Sequence, residues 1–264
     1  MLNLIIPDWP APPWIKAATT TRRGGFSAPP FDSLNVSLMV GDNADDVAQN
    51  RKLLKNSLEN LSASSGNTAK NSSGKSISEN FFWLQQVHGN KAISADSAFL
   101  DPIADAIYTQ DPHVACAVQT ADCLPLLVCS RTHHCIAAIH AGWKGLANGI
   151  IENSIGALDC APDNLLVWLG PAIGPQAFVV GPDVVNTFTE KSRKAKAAFQ
   201  DIGNNHWRAN LYQLAKQRLN NLGIQAIYGG HYCTYTDKDN FFSFRRDKVT
   251  GRMASLIWIS PSNT

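Results

Sequence analysis

Residues 120–145 have the sequence TADCLPLLVCSRTHHCIAAIHAGWKG, and this stretch decides the fold. Two apolar runs, 125–130 and 135–140, flank a polar segment at 131–134, which is the pattern of two strands joined by a turn. Antiparallel pairing about that turn brings the residues just before 125 close to those just after 139. Cys123 and His140 are therefore predicted to lie side by side at one edge of a sheet.

The rest of the chain alternates between predicted strands and helices. Apolar runs bounded by turn residues predict strands at 81–87, 114–120, 165–169, 224–228, 241–244 and 253–259, with a further short strand entering the glycine turn at 24–25. Helical periodicity and caps predict helices over 43–59, 144–158 and 209–222, and a helix pair over 182–200. Because the hairpin implies antiparallel pairing, we predict the α/β class in its α+β form: one mixed-sheet sandwich domain spanning 1–264, with the site at a sheet edge.

One segment differs from its surroundings in composition. Residues 61–80, LSASSGNTAKNSSGKSISEN, consist mainly of Ser, Asn, Gly and Lys and contain almost nothing to bury. Such a composition cannot offset the entropy of ordering the chain. We expect a mobile insertion that tolerates deletion, and not a boundary between domains.

Composition limits the classes of function. The chain has 264 residues, of which 44% are hydrophobic, and a formal net charge of +2, so neither nucleic acid nor an anionic membrane is expected as a partner. The start, MLNLIIPDW, lacks a basic segment and reaches Pro7 before any signal-type apolar run. No apolar stretch approaches the ~20 residues of a membrane span. We expect a cytoplasmic protein that acts on small molecules.

The chain has six cysteines, and most are expected to be small core residues. There is no CxxC pair, which argues against a zinc ribbon or a redox centre. A disulfide framework is not expected in a chain of this length without a signal peptide. Cys123 differs from the others, because it follows Asp122 and precedes Pro125 at a break between apolar runs.

Three residues at such breaks form a candidate metal site. His88 lies in QQVHG, Cys123 in ADCLP and His140 in HAGWKG. Two imidazoles and a thiolate suit a borderline metal such as zinc, and three protein ligands leave a fourth position open, as in catalytic sites. The alternative is that both histidines are hydrogen-bonded core residues and that Cys123 is inert.

Two carboxylates and the segment after His140 add candidates. Asp105 and Asp122 could orient a ligand or act as general acid or base, and a turn-stabilising role for Asp122 is equally compatible with the sequence. Lys144, in the glycine-flanked start of a predicted helix, could hold an anion such as phosphate. Trp143 could stack on a planar ligand or belong to the core.

Arginines supply further candidates. Arg22 lies in the glycine turn and could bind an anion or be a solvated surface residue. The segment 242–252 is basic and aromatic, and its Arg246 could line a binding rim or form a weak surface pair with Asp247.

Together these motifs resemble the YfiH family, which is also called the multicopper polyphenol oxidase or laccase-domain family, and whose members include purine nucleoside phosphorylases and peptidoglycan editing factors. The resemblance runs nearly end to end. The motifs that carry it are TTRRGG at 20–25, SLN at 33–35, NR at 50–51, QVHG at 86–89, ADA at 104–106, TADCLPLL at 120–127, HAGWKG at 140–145, LGPAIG at 169–174, CTY at 233–235, FSFRRD at 242–247 and TGRMASLIW at 250–258. The chain departs from the family at Val179, where members usually have Glu, and at Lys144, where many have Arg.

The resemblance implies a zinc site at His88, Cys123 and His140. It also implies phosphorolysis of adenosine, inosine and S-methyl-5′-thioadenosine, and hydrolytic deamination of adenosine. Of the candidates above, we expect Asp122 or Asp105 to move the proton. Phosphate would be held by Arg22 and Lys144. The oxidase name does not fit the sequence, because the chain has seven histidines, no His-x-His pair and only three methionines to supply an axial copper ligand.

Two other functions remain open at the level of sequence. A metal-free cysteine hydrolase or amidase that edits peptidoglycan precursors would use Cys123 as nucleophile and His140 as base. A non-catalytic zinc-binding module would use the same three ligands. His88 discriminates between the first alternative and a metal enzyme, because a Cys/His pair has less need of a second histidine.

Overall fold

The computed structural model describes residues 2–63, 81–98 and 102–260, which form thirteen strands and seven α-helices. The strands are β1 (Leu4–Ile5), β2 (Ile15–Thr20), β3 (Ala92–Ser94), β4 (Ala106–Thr109), β5 (Ala115–Thr120), β6 (Leu124–Ser130), β7 (Ile136–Ala141), β8 (Leu165–Leu169), β9 (Val179–Val180), β10 (Phe199–Asp201), β11 (Trp207–Ala209), β12 (Ile227–Gly229) and β13 (Met253–Ile259). The helices are α1 (Ala44–Ala63), α2 (Ala95–Ala98), α3 (Trp143–Ala147), α4 (Ile150–Gly156), α5 (Pro182–Thr189), α6 (Leu211–Asn221) and α7 (Phe244–Asp247). Short 3₁₀ turns cover Pro162–Asn164 and Arg193–Ala198.

Two larger sheets face each other across a shared apolar core. The first has the order β1-β2-β13-β5 and is antiparallel throughout. The second has the order β12-β8-β6-β7-β4-β3, antiparallel in its centre and parallel at both edge pairs. Val118 and Ile257 of the first sheet belong to the same buried cluster as Leu127 and Ile136 of the second. The predicted mixed-sheet α/β sandwich is confirmed.

Helices cover the outer faces of both sheets. Leu54 and Leu58 of α1 pack with Leu256 on the far face of the first sheet. Helices α3 to α6 share a core with the far face of β6, β7 and β8. Alternate residues of β6 and β7 therefore enter different cores, and both strands are buried along their whole length. A third, three-stranded sheet has the order β10-β11-β9.

The hairpin predicted from residues 125–140 has the predicted geometry. β6 and β7 pair antiparallel with Leu124 opposite Ala141 and Pro125 opposite His140. Cys123 stands directly before β6, so it lies beside His140 at the end of this pair. The short polar segment at 131–134 makes the turn, as the sequence predicts.

Several element boundaries differ from the predictions for local reasons. The segment 81–87 makes only isolated bridges, because the Gln86 side chain bonds both backbone groups of Gln119. The predicted helix over 144–158 breaks into α3 and α4 at Gly149, whose φ of 91° is left-handed. The segment 241–244 is not a strand, because the Ser243 side chain accepts the Arg246 N–H and caps α7.

Three further ranges also differ. The predicted helix pair over 182–200 is α5, a 3₁₀ turn and the start of β10. The C-terminal strand predicted at 224–228 is β12, shifted to 227–229. Leu61–Ala63 continue α1, so the first residues of the predicted insertion are helical, and its remainder, 64–80, lies outside the described residues.

Over the part of the chain that the structure describes, none of the helices combines the length and the hydrophobicity needed to cross a membrane. The longest, α1, has 20 residues, and acidic side chains begin it at Asp45 and Asp46. Asn43 caps it by accepting both of their N–H groups.

Candidate functional site

Three potential metal ligands converge at the end of the β6–β7 pair. One ligand atom from each of His88, Cys123 and His140 can be chosen such that all three lie within 4.8 Å of one another. The Cys123 Sγ is 3.7 Å from the His88 Nε2, and the two imidazole rings meet edge to face with their centroids 4.8 Å apart. His140 is buried, Cys123 is half-buried and His88 is exposed, so the cluster opens toward solvent on one side.

A single buried carboxylate, Asp105, holds two of the ligands in place. Its Oδ1 lies 2.7 Å from the His140 Nδ1 and accepts the His88 backbone N–H at 2.9 Å. Its Oδ2 accepts the N–H groups of Gly89 at 2.6 Å and Val87 at 3.3 Å. Because Asp105 occupies Nδ1, the His140 Nε2 is the nitrogen left for a metal or a substrate.

Two glycines let the backbone approach the ligands. A Cβ on Gly142 would lie 2.9 Å from the His88 Cδ2 and 3.1 Å from the Cys123 Sγ. A Cβ on Gly145 would lie within 2.5 Å of the Gly89 carbonyl oxygen, so α3 packs directly on the loop that carries His88. The absence of a side chain at Gly142 and Gly145 therefore lets the segment HAGWKG pack against the cluster and against the loop that carries His88.

Asp122 faces the same site, and both of its carboxylate oxygens accept hydrogen bonds from elsewhere in the chain. Its Oδ1 accepts the Thr234 hydroxyl at 2.6 Å, and its Oδ2 accepts the Arg245 backbone N–H at 2.6 Å. Asp122 has a φ of 93°, which side-chain-bearing residues rarely adopt. These contacts fix the turn before Cys123 and fasten it to α7.

The ligands perturb each other's protonation. Burial raises the pKa of the Cys123 thiol, but His140 and His88 outweigh it and bring that pKa down to about 6. Burial lowers the pKa of His140, but Cys123 and Asp105 outweigh it and raise that pKa to about 9. Burial likewise raises the pKa of Asp105, and the bonds to His140 and to the Gly89 and Val87 N–H groups bring it below its ordinary value. Without a metal, a thiolate and an imidazolium are therefore the favoured forms at neutral pH.

A cavity of about 410 Å³ opens over the cluster, a size within the range of small-molecule sites. His88, Asp122, Cys123 and His140 form part of its wall. The remaining lining residues come from the loop after β2, the segment 81–87, the end of β5, the loop after β8, and α7 with the residues that follow it: Ser37, Met39, Val40, Leu84, Gln86, Gln119, Thr120, Ala121, Ile173, Phe178, Phe244, Arg245 and Arg252.

The wall contains polar atoms without partners. The Gln119 Oε1 and the Thr120 hydroxyl are buried and have no hydrogen-bond partner among the described residues. Buried polar atoms are normally paired, so unpaired ones in a cavity wall indicate a place for a ligand. Phe178 and the exposed ring of Phe244 supply apolar and aromatic surface in the same cavity.

The structure does not bring all the predicted basic residues to this cavity. Arg22 forms an ion pair with Asp32 at 3.3 Å. Arg246 pairs with Asp247 at 2.7 Å and donates to the Thr234, Tyr235 and Phe241 carbonyl groups. Arg22 and Arg246 line a separate cleft together, among paired charges.

The segment after His140 is also outside the lining. Lys144 is exposed, with its Nζ 5.7 Å from the centroid of the Trp143 ring. Trp143 is half-buried against the core under α3. Neither residue is among the described residues that line the cavity.

Arg245 and Arg252 are the site cations that sequence reasoning did not select. The segment 242–252 gives a signal, since it is basic and aromatic and suggests a binding rim, but it does not show which arginine turns inward. Arg245 donates to the Val179 carbonyl group, at the position where the resembling family usually has Glu. Ser243 caps α7, and on that short helix Arg245 lines the cavity while Arg246 lines the other cleft.

The cluster has the properties of a metal site. Zinc bonds of about 2.0–2.1 Å to nitrogen and 2.3 Å to sulfur place those two ligands about 3.5 Å apart in tetrahedral geometry, and the His88 Nε2 lies 3.7 Å from the Cys123 Sγ. The thiol has a lowered pKa, and Asp105 orients one imidazole. His88, Cys123 and His140 could therefore hold a metal ion, and they are the sole such group within 2–63, 81–98 and 102–260.

Comparisons with known proteins agree with the sequence motifs. Residues 16–260 match the family described as Multi-copper polyphenol oxidoreductase laccase. The chain is 46% identical to "Purine nucleoside phosphorylase YfiH" of Escherichia coli over 98% of its own length and 100% of that protein. It is 43% identical to a purine nucleoside phosphorylase of Pseudomonas aeruginosa over 97% of this chain and 98% of that one.

Solved structures share the fold. A crystal structure of a Neisseria meningitidis protein has a TM-score of 0.89 at 41% identity and covers 98% of this chain and 100% of that chain. The structure of YlmD from Geobacillus stearothermophilus has a TM-score of 0.80 at 28% identity, covering 95% of this chain and 94% of the other.

Proposed function

Since the chain belongs to the family described as Multi-copper polyphenol oxidoreductase laccase, we propose that it is a zinc-dependent purine nucleoside phosphorylase. Its substrates are adenosine, inosine and S-methyl-5′-thioadenosine, and it also deaminates adenosine. Full-length relatives carry the name purine nucleoside phosphorylase, and this supports the reaction type.

The observation that carries the proposal is the convergence of His88, Cys123 and His140 on an open cavity of about 410 Å³. Structural zinc sites have four protein ligands, whereas three ligands beside a cavity leave a coordination position for chemistry. The cavity combines aromatic surface at Phe244 with an unpaired polar atom at Gln119, which suits a nucleoside with an apolar ring and polar edges.

The two candidate carboxylates have different roles in this proposal. In phosphorolysis, a phosphate oxygen forms a bond to the ribosyl carbon while the bond from that carbon to the purine nitrogen breaks, and the purine leaves with a proton. Of the two candidate carboxylates, Asp122 lines the cavity, whereas Asp105 is fully buried behind His140. Asp122 is therefore the carboxylate placed to move a proton, and Asp105 positions His140 and His88.

Bound at His88, Cys123 and His140, a zinc ion would supply a Lewis acid and activate water near neutral pH. The Asp105 carboxylate fixes the His140 ring so that Nε2 points away from Asp105. His88 is the exposed member of the three and leaves the open side toward the cavity.

Copper oxidation is a poor alternative despite the family description. A multicopper centre needs several histidine-rich sites, and the chain has seven histidines in all. Among the residues that the structure describes, one group of His, Cys and acidic side chains could hold a metal, and it contains two of those histidines.

A cysteine hydrolase or amidase that edits peptidoglycan precursors is a second candidate, and one observation favours it. Cys123, His140 and Asp105 form a nucleophile, base and orienting carboxylate in series, and the Cys123 pKa is lowered to about 6 against the effect of burial. That arrangement leaves His88 without a role, although its Nε2 is 3.7 Å from the Cys123 Sγ.

The test combines metal analysis with product analysis. The purified protein is expected to contain one zinc per chain and to convert inosine to hypoxanthine and ribose-1-phosphate at a rate that saturates with phosphate. Chelation should abolish turnover, and zinc should restore it. Equal formation of hypoxanthine without phosphate would identify a hydrolase and refute the phosphorylase. Amidase activity that survives chelation would support the cysteine hydrolase.

A further inference from the structure

Two arginines in the cavity wall differ from the other arginines near the site. Arg22, Arg23 and Arg246 each form an ion pair with an aspartate. Arg245 and Arg252 line the cavity, and neither pairs with a carboxylate among the described residues. The cavity therefore holds two cations whose charge the described part of the chain does not neutralise by direct contact.

Arg252 has hydrogen-bond donors that the described residues do not use. Its Nη1 donates to the carbonyl groups of Thr250 and Gly251, while its Nε and Nη2 make no hydrogen bond within the described residues. The Arg245 Nη1 donates to the Val179 carbonyl group. Both guanidinium groups lie near an aromatic ring, 5.2 Å from the Phe178 centroid for Arg245 and 5.9 Å from the Phe244 centroid for Arg252. Arg252 therefore keeps its Nε and Nη2 donors available to a ligand.

A neutral donor, Thr120, lies opposite the residue that follows Arg252. Thr120 pairs with Met253, the residue that follows Arg252, in the register of β5 and β13. The Thr120 side chain is buried, lines the cavity and has an unpaired hydroxyl. A guanidinium and a hydroxyl at neighbouring positions are a donor set for an oxyanion.

The charge of the wall favours the same ligand. Burial brings the pKa of Arg252 below its ordinary value, although Cys123 and Asp122 act to raise it. Arg252 is half-buried and has no carboxylate partner among the described residues, so an anionic ligand would compensate its charge. Asp122 makes no ion pair with Arg252, and its two oxygens accept bonds from the Thr234 hydroxyl and the Arg245 N–H.

We propose that Arg252 and Thr120 bind the phosphate co-substrate beside the His88–Cys123–His140 cluster. The inference rests on the proposed phosphorylase for the identity of the anion, and on the structure for its place. Lys144 is a less suitable phosphate ligand, because it is exposed and does not line the cavity. Arg22 is also less suitable, because it already forms an ion pair with Asp32. Phosphate at Arg252 shares one cavity with the nucleoside, whereas phosphate at Arg22 would lie in a different cleft.

The experiment measures phosphate in two ways on the zinc-loaded enzyme. Binding of inorganic phosphate is measured by calorimetry without nucleoside, and phosphate and inosine KM values are measured separately. Arg252→Gln is expected to raise the phosphate Kd and KM by about 10–100-fold, and the inosine KM by less than about twofold. Arg252→Lys should recover part of the loss, and Thr120→Val should cost about fivefold. Arg131→Gln, at an exposed arginine of the β6–β7 turn, is the matched control.

The outcomes separate the inference from the function on which it rests. Unchanged phosphate Kd and KM values in folded Arg252→Gln and Thr120→Val would overturn the inference and leave the phosphorylase intact. Phosphate binding that depends on Arg252 in a protein without phosphorolysis would support the anion site and refute the phosphorylase. A loss in Lys144→Ala equal to that in Arg252→Gln would also overturn the assignment, because it would return the phosphate to α3.

Discussion

Replacing Asp105 by asparagine tests how the site is held together. The carboxylate accepts four hydrogen bonds, from the His140 ring and the backbone N–H groups of Val87, His88 and Gly89. Asparagine keeps the shape but has one acceptor oxygen, and its NH₂ group must face donors. The substitution removes the negative charge and leaves at least one buried N–H unpaired.

The size of the effect follows from those contacts. Breaking a buried charged pair costs about 3–5 kcal/mol, and the retained carbonyl oxygen reduces the loss to about 3 kcal/mol in the free energy of unfolding. For a domain of this size that lowers Tm by roughly 6–12 °C. Because the His140 ring loses its orienting partner, metal affinity should fall about 10–100-fold.

The assay compares Asp105→Asn with Asp163→Asn, a change at an exposed aspartate in a 3₁₀ turn. Urea unfolding gives the stability, and competition with a chelator gives the zinc affinity. The folded pKa of Asp105 lies below its ordinary value of 3.8. Its stabilisation is therefore present above pH ~3.8 and is lost as the pH falls through the folded pKa. Zinc affinity within twofold of wild type in Asp105→Asn would refute this account of the site.

Three further predictions concern the cluster itself. Single changes of His88, Cys123 or His140 to alanine should lower zinc content and activity together, and full activity in metal-depleted Cys123→Ala would contradict the metal assignment. Gly142→Ala should abolish zinc binding, because its Cβ would lie 2.9 Å from the His88 ring, whereas Gly156→Ala meets nothing within 4 Å and should be silent. In the zinc-free protein, alkylation of Cys123 by iodoacetamide should rise with a midpoint near pH 6. In His140→Ala, loss of the imidazolium should move that midpoint toward pH 9. An unchanged midpoint would show that His140 does not lower the pKa of Cys123.

The fold and part of the candidate metal cluster could be predicted where contacts between residues close in the sequence decide the structure. The turn at 131–134 fixes the β6–β7 register within one hairpin, and this places Cys123 next to His140 without knowledge of any distant contact. The alternation of buried residues then follows from the two cores on either side of the second sheet. His88 joins them through long-range contacts to Asp105 that the spacing of residues does not reveal.

The basic residues could not be assigned in the same way. Arg245 and Arg246 are adjacent in the sequence, have the same chemistry and lie in the same motif. On α7, Arg245 lines the cavity and Arg246 lines the neighbouring cleft. A helix of four residues is too short to show a periodicity, so the sequence reveals the basic segment but not which side chain lines the cavity.

Two carboxylates hold the backbone of the site at positive φ angles, which residues other than glycine rarely adopt. His88 has a φ of 59° and Asp122 a φ of 93°, and such residues cost about 1–3 kcal/mol each unless their surroundings fix them. Asp105 fixes the first through three N–H bonds, and Asp122 fixes itself through Thr234 and Arg245. The contacts that orient the ligands thus also hold the strained turns that present them. A loss of activity in Asp122→Asn therefore indicates proton transfer only if zinc content and stability remain at the wild-type level.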